Sequence, residues 1–253
     1  MGSTYQSEKE VANLMADELE KIFQPLQNNN SPHETEIIEE YQKIINSTPR
    51  NLIRPTSPTE IKEIIKNLKK RKAKGYDNIN NEALKALPTK GIIKITNIIN
   101  ACIRKCYFPQ PWKHSIITSI LKPGKNPKDI KSYRPISLLP AMGKIYEKIL
   151  CSRLTTHLEK YNLIDNNQFG FRSGHSTTHQ ILNLVEIISL AFQKKNSIAA
   201  CFLDFEKAFD RVWHIGLIFK LQKFMLPDGL IHIIISFLKN RTFQVRIGDT
   251  LSK

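Results

Sequence analysis

The sequence predicts an α+β fold, mostly helical with a β-hairpin and short strands, and three observations carry that reading. Apolar residues recur at i, i+3, i+4 and i+7 in several stretches, as in Ile61, Ile64, Ile65 and Leu68, the periodicity of helices buried on one face. Two β-branched, extended runs, residues 115–121 and 133–139, flank the turn-rich stretch 122–129, which is the pattern of a hairpin. Residues 198–203 form an apolar run of strand length that ends at Asp204. With 253 residues, 41% of them hydrophobic and 24% charged, the chain can bury a sizeable core as one domain or two small ones. It lacks the low hydrophobicity of a disordered segment.

Taken in order, residues 1–45 read as an acidic helical linker and residues 46–253 as the main domain. Val11, Leu14, Met15, Leu19, Ile22 and Phe23 fall at helical spacing, and a polar break containing Asn28, Asn29 and Asn30 follows at 27–32. Ser57-Pro58-Thr59-Glu60 places Ser at an N-cap, Pro at the first helical position and Glu at the capping-box position, a start signal for the helix that carries Ile61 to Leu68. Lys69, Lys70, Arg71, Lys72 and Lys74 then cluster before Gly75-Tyr76-Asp77. Two readings of that cluster stand side by side, a solvated helix end favoured by the macrodipole and a nucleic-acid contact. Further helices are expected over 92–106, 142–158, 177–192 and 217–238. Residues 242–247 alternate Phe243, Val245 and Ile247 with polar side chains, as a half-buried strand does.

Charge narrows the partner class. The chain carries 38 Lys and Arg against 23 Asp and Glu, a net of +15. Residues 1–41 hold nine acidic and two basic side chains, which leaves residues 42–253 at +22. A field of that sign attracts polyanions such as nucleic acid. The longest charge-poor stretch, 226–238, contains Asp228 and His232 and is too short to span a bilayer, so no membrane partner is expected. The first ten residues lack the apolar core of a signal peptide, and an intracellular setting, nucleus or cytoplasm, is the expectation. Cys102, Cys106, Cys151 and Cys201 have no His at metal spacing and read as buried free thiols.

Three stretches could carry chemistry. Cys201-Phe202-Leu203-Asp204-Phe205-Glu206-Lys207-Ala208-Phe209-Asp210 reads as a strand delivering Asp204 to a sheet edge, where a carboxylate can hold a metal ion with positions open for substrate phosphate. The bland alternative is a capping or ion-paired aspartate. Lys122 and Arg134 lie on the two arms of the basic hairpin, well placed to clamp a triphosphate, Arg by paired bonds and Lys as a point charge. Asn167-Gln168-Phe169-Gly170-Phe171-Arg172-Ser173-Gly174-His175-Ser176 precedes a helix and suits backbone or phosphate contact at its N-terminus.

These stretches, in this order, resemble the motifs of reverse transcriptases of non-LTR retrotransposons, the jockey-type group above all. The resemblance rests on Lys72-Ala73-Lys74-Gly75-Tyr76-Asp77-Asn78-Ile79, Ile120-Leu121-Lys122-Pro123-Gly124-Lys125 with Ser132-Tyr133-Arg134-Pro135-Ile136-Ser137-Leu138-Leu139, Gln168-Phe169-Gly170-Phe171-Arg172, and Leu203 to Val212. It covers about residues 50–253. It implies the fingers and part of the palm of a right-hand polymerase that uses an RNA template, a DNA primer and deoxynucleoside triphosphates. It also implies that Asp204 and the backbone carbonyl of Phe205 bind Mg²⁺, one of two ions in a complete enzyme. By the same resemblance Phe209 is the bulky residue beneath the sugar, Lys122 and Arg134 hold the triphosphate, and Gln168, Gly170 and Arg172 line the template and nucleotide pocket. Residues 1–45 look like the segment that joins an endonuclease to the polymerase.

The sequence departs from that family pattern in one respect. The downstream Tyr/Phe-x-Asp-Asp motif has no counterpart among these residues, since only Asp228 and Asp249 follow Asp210 as acidic side chains. The expectation is a polymerase truncated before its second catalytic motif and inactive as this chain alone. The alternative is a noncatalytic basic RNA-binding protein that retains the fingers scaffold.

Overall fold

A computed structural model describes residues 7–25, 32–127 and 129–253. Nine α-helices and four strands are formed among them: α1 (Glu8–Ile22), α2 (Pro32–Asn46), α3 (Pro58–Lys66), α4 (Asn81–Lys85), α5 (Thr89–Arg104), β1 (His114–Leu121), β2 (Tyr133–Leu138), α6 (Ala141–Lys160), α7 (Thr177–Gln193), α8 (His214–Lys223), α9 (Asp228–Leu238), β3 (Thr242–Ile247) and β4 (Thr250–Leu251). The expected break at 27–32 lies almost wholly outside the described residues. The acidic N-terminal region makes two helices where the periodicity predicts one, because Ile37 and Ile44 give residues 32–46 a buried stripe of their own.

The hairpin forms as expected. β1 pairs antiparallel with β2, Ile117 opposite Ser137 and Ile120 opposite Arg134. β1 also pairs in parallel with β3, and β4 closes the sheet antiparallel to β3, for an order β2-β1-β3-β4. α1 lies on this sheet. A full capping box between Ser7 and Glu10 starts it, and its stripe of Met15, Leu19, Ile22 and Phe23 packs on Ile117, Val245 and Phe243. The Phe23 and Phe243 rings meet edge-on at 5.4 Å.

The main core is helical. Ile61 and Ile65 of α3, Ile99 and Ile103 of α5, Ile145, Tyr146 and Ile149 of α6, Ile218 of α8, and Leu230 and Ile233 of α9 form one buried cluster. Burying each such side chain contributes about 1.5–3 kcal/mol. Phe108 seals one end, stacked on Tyr146 at 5.1 Å and edge-on to Phe237 at 5.0 Å. Lys113 is buried, and its Nζ donates to the carbonyls of Ser236 and Lys239 at 2.9 Å each. It thereby satisfies acceptors that the C-terminus of α9 leaves open.

Half of the capping box expected at α3 is present. Ser57 Oγ accepts from the Glu60 amide at 3.2 Å, but the Glu60 carboxylate turns to Arg153 of α6. Arg153 donates to both of its oxygens at 2.8 and 2.7 Å, and Thr56 Oγ1 donates to one of them at 2.9 Å. The single helix expected over 217–238 is broken. Met225 takes a positive φ of 53°, and Pro227 stands as the N-cap of α9, where it needs no amide hydrogen.

The strand expected over 198–203 is not formed. Residues 197–205 have no regular structure and all are exposed, Phe202 at 82% and Leu203 at 81%. An apolar run without alternation requires cover on both faces, and no described element supplies either face. α7 shares this situation: it contains no buried residue, and Ile181, Leu182, Val185 and Phe192 are between 50% and 67% exposed. The four cysteines are free, as expected, but only Cys102 is buried; Cys151 and Cys201 are exposed.

Candidate functional site

The hairpin positions its two cations through the ladder. The Lys122 amide donates to the Ser132 carbonyl at 2.8 Å, one bond beyond the paired strands. Because Arg134 faces Ile120 and side chains alternate along a strand, Lys122 and Arg134 fall on the same side of the sheet. Lys122 Nζ donates to the Lys131 carbonyl at 2.8 Å, which folds it against the loop. Arg134 is exposed and, among the described residues, has no ion-pair partner. A guanidinium presented this way is available for a bidentate bond to phosphate.

The loop before α7 is organised by Asp165. Its carboxylate accepts from the Asn167 amide at 2.7 Å, and its carbonyl accepts from the Gln168 amide at 3.0 Å and the Arg172 guanidinium at 3.1 Å. Gln168 Nε2 donates to the Gly170 carbonyl at 2.9 Å. Ser176 caps α7 by accepting from the His179 amide. The result is a cleft of about 480 Å³ over the start of α7, lined among others by Gln168, Gly170, Phe171 and His175. Arg172 thus serves the loop itself, whereas Gln168 and Gly170 face the cleft. A side chain at Gly170 would meet nothing closer than 3.6 Å, so packing within this chain does not require glycine there.

Asp204 stands in exposed, irregular chain with Phe205, itself 77% exposed. Phe209 is also 77% exposed, and its ring lies edge-on to Phe171 at 5.6 Å. That contact brings the 167–176 loop to the 204–210 segment. Phe171, part of the motif but given no role of its own by sequence reasoning, is the side chain that makes the join; its positive φ of 58° leaves no mark in the sequence. No hydrogen bond, ion pair or ring contact among the described residues joins Lys122 or Arg134 to Asp204. Electrostatics relate the two regions more loosely. The Glu18 carboxyl on α1 is held below the ordinary range, first by its hydrogen bond from Lys21 and to a lesser degree by Lys131 of the hairpin and Lys207 of the 204–210 segment.

The two groups expected from the sequence to hold the metal, the Asp204 carboxylate and the Phe205 carbonyl, are hard oxygens, of the kind that suits Mg²⁺. No group of three His, Cys, Asp or Glu side chains that could hold a metal occurs among the described residues.

A family model described as reverse transcriptase (RNA-dependent DNA polymerase) matches residues 120–251, a stretch that contains the hairpin cations, the loop before α7 and Asp204 through Phe209. The chain belongs to the reverse transcriptase family. This reverse transcriptase chain is 38% identical over 256 aligned residues to the probable RNA-directed DNA polymerase from transposon BS of Drosophila melanogaster, covering 99% of the chain and 27% of that protein. It is 42% identical over 200 residues to the probable RNA-directed DNA polymerase from transposon X-element of the same species, covering 79% and 22%. It is 36% identical over 247 residues to the RNA-directed DNA polymerase from mobile element jockey of Drosophila funebris, covering 96% and 26%. These matches bear out the resemblance to reverse transcriptases of non-LTR retrotransposons. The chain spans about a quarter of the length of the curated relatives it matches. No described helix is long and apolar enough to cross a membrane.

Proposed function

We propose that the chain is the fingers and the first part of the palm of a jockey-type retrotransposon polymerase that copies an RNA template onto a DNA primer from deoxynucleoside triphosphates. The observation that carries the reading is the 120–251 family match, which encloses the hairpin cations, the loop cleft and the Asp204 segment. In this reading residues 1–45 precede the polymerase as a linker. Lys122 and Arg134, on one side of the hairpin, offset the charge that spreads over the phosphoryl oxygens during transfer. Gln168 and Gly170 border the template and nucleotide pocket, and Arg172 holds its loop against Asp165. Phe209, in contact with Phe171, lies beneath the sugar and excludes a 2′-hydroxyl. The Asp204 carboxylate and the Phe205 carbonyl hold Mg²⁺, which as one of two ions would stabilise the attacking and leaving oxygens.

One carboxylate cannot by itself hold two such ions, so these 253 residues alone are expected to bind nucleotide without extending a primer. The test is photolabelling of the chain with an azido-deoxyuridine triphosphate. Labelling should rise with Mg²⁺, fall strongly in Arg134→Ala and Lys122→Ala, and lose its Mg²⁺ dependence in Asp204→Asn. Labelling that all three variants leave unchanged would overturn the assignment. The exposed, irregular setting of Asp204 favours a second reading, a noncatalytic RNA-binding scaffold, in which RNA binds but triphosphate labelling is absent from the start.

A further inference from the structure

The hairpin that carries Lys122 and Arg134 meets, at its base, a loop to which the functional reading gives no role, residues 69–79. The near end of the loop is tied to α4. Asn81 Nδ2 donates to the Lys69 carbonyl at 2.7 Å, and the Arg71 amide donates to Glu82 Oε1 at 2.6 Å. A turn closes the far end. The Asn78 amide donates to the Gly75 carbonyl at 3.1 Å with Asn78 at a positive φ of 56°, and the Asp77 carboxylate accepts from the Ile79 amide at 3.2 Å. The Asp77 and Glu82 carboxylates thus hold the loop itself in shape.

Two contacts join this turn to the two arms of the hairpin. Gly75 is buried, and a Cβ there would stand 2.6 Å from the Pro140 nitrogen and 2.7 Å from the Leu139 carbonyl carbon. These are backbone atoms just past Leu138, where β2 ends, and they cannot swing aside as the end of a flexible side chain does. Gly75 has no left-handed φ, so glycine is required there for close approach of backbone to backbone. Tyr76 reaches the other arm. Its ring meets the His114 ring edge-on at 5.1 Å, and His114, the first residue of β1, is hydrogen-bonded through Nδ1 to Thr242 Oγ1 of β3 at 2.9 Å.

The hairpin amplifies what happens at this base. β3 pairs with β1 only as far as Thr118, so beyond that residue each arm has only the other as a strand neighbour. From His114 to Lys122 is about 27 Å at the usual strand rise, and a tilt of about 5° at the base therefore carries Lys122 by about 2 Å.

We propose that Gly75 and Tyr76 are positioning residues: they bracket both arms of the hairpin at its base and so set where Lys122 and Arg134 stand for the triphosphate. The role of the cations rests on the polymerase reading, whereas the bracket rests on the contacts of the 75–78 turn.

The experiment has two readouts on the full chain. Spin labels on Lys62→Cys in α3 and Lys125→Cys in the hairpin loop, both exposed positions, report the distance from the helical core to the tip by double electron–electron resonance, with Cys151→Ser and Cys201→Ser removing the exposed thiols. Titrated photolabelling with the azido-deoxyuridine triphosphate reports the clamp. Gly75→Ala and Tyr76→Ala should each shift or broaden the distance distribution. Each should also raise the half-saturating triphosphate about ten-fold, within the roughly hundred-fold that a 1 Å misplacement can cost. Tyr76→Phe keeps the ring edge and should restore the parent values in both readouts. Tyr76 is 40% exposed, so Tyr76→Ala overpacks nothing and decides the matter where Gly75→Ala does not fold. Parent-like distances in Tyr76→Ala and in folded Gly75→Ala would overturn the bracket. Altered distances with unchanged half-saturation, in a chain whose labelling Arg134→Ala abolishes, would overturn the positioning role. Labelling indifferent to Arg134→Ala and Lys122→Ala would overturn the polymerase reading instead, and the distances alone would then judge the bracket.

Discussion

Replacing Arg153 with Met tests whether one polar contact fixes the 54–60 segment to α6. Arg153 is 16% and Glu60 29% exposed at their side chains, and the pair is bidentate. Arg153 also donates through Nε to the Arg54 carbonyl at 3.2 Å. The substitution keeps most of the stem volume but leaves a largely buried carboxylate with Thr56 as its remaining hydrogen-bond donor. Breaking a fully buried pair costs about 3–5 kcal/mol, and partial exposure lets water recover some of that, so a loss of about 2–3 kcal/mol is expected. For a chain of this size that corresponds to a fall in Tm of roughly 5–10 °C. The loss must also depend on pH. Glu60 is held below its ordinary value, chiefly by its hydrogen bonds from Arg153. Its contribution is therefore present above the unfolded carboxyl value of about 4.3 and disappears as pH falls through the lower folded value. Urea unfolding followed by circular dichroism at pH 7 and at about pH 3.5 should show a difference between wild type and Arg153→Met that shrinks at the lower pH. A difference under about 0.5 kcal/mol at pH 7, or one that does not change with pH, would refute the reasoning.

Other outcomes follow from the same structure. Ile149→Ala, at a fully buried position of α6, should lower stability by about 2–5 kcal/mol, read from the shift in urea midpoint. Limited proteolysis should cut first within residues 194–212, the long exposed irregular stretch between α7 and α8, because such segments open most readily; early cuts confined to α5 or α6 would contradict this. RNA binding should weaken with salt at a logarithmic slope of about −0.7 per neutralised phosphate on single strands, measured by fluorescence anisotropy, and salt-independent affinity would count against the basic surface. In the chain joined to the remaining palm and thumb of a close relative, Asp204→Asn should abolish primer extension while sparing RNA binding. Phe209→Ala in the same fusion should admit ribonucleotides, and unchanged sugar discrimination would remove that role from Phe209.

Much of the local structure was legible because its causes are local. The stripe Ile61, Ile64 and Ile65 and the Ser57 cap specify α3 within a dozen residues, and the hairpin follows from two β-branched runs separated by a Pro- and Gly-containing loop. The break between α8 and α9 was equally local, since Pro227 cannot continue a helix, but the apolar content on both sides masked it. The candidate site was legible as motif order, and the family match encloses the same residues. Tertiary structure alone decided which surfaces meet. The parallel pairing of β1 with β3 joins segments about 130 residues apart, and the partner of Glu60 lies 93 residues away; no local pattern selects either. The 198–203 run shows the limit most clearly. Its composition is that of a strand, but a strand exists only where neighbours accept its backbone hydrogen bonds and cover its faces, and among the described residues none does.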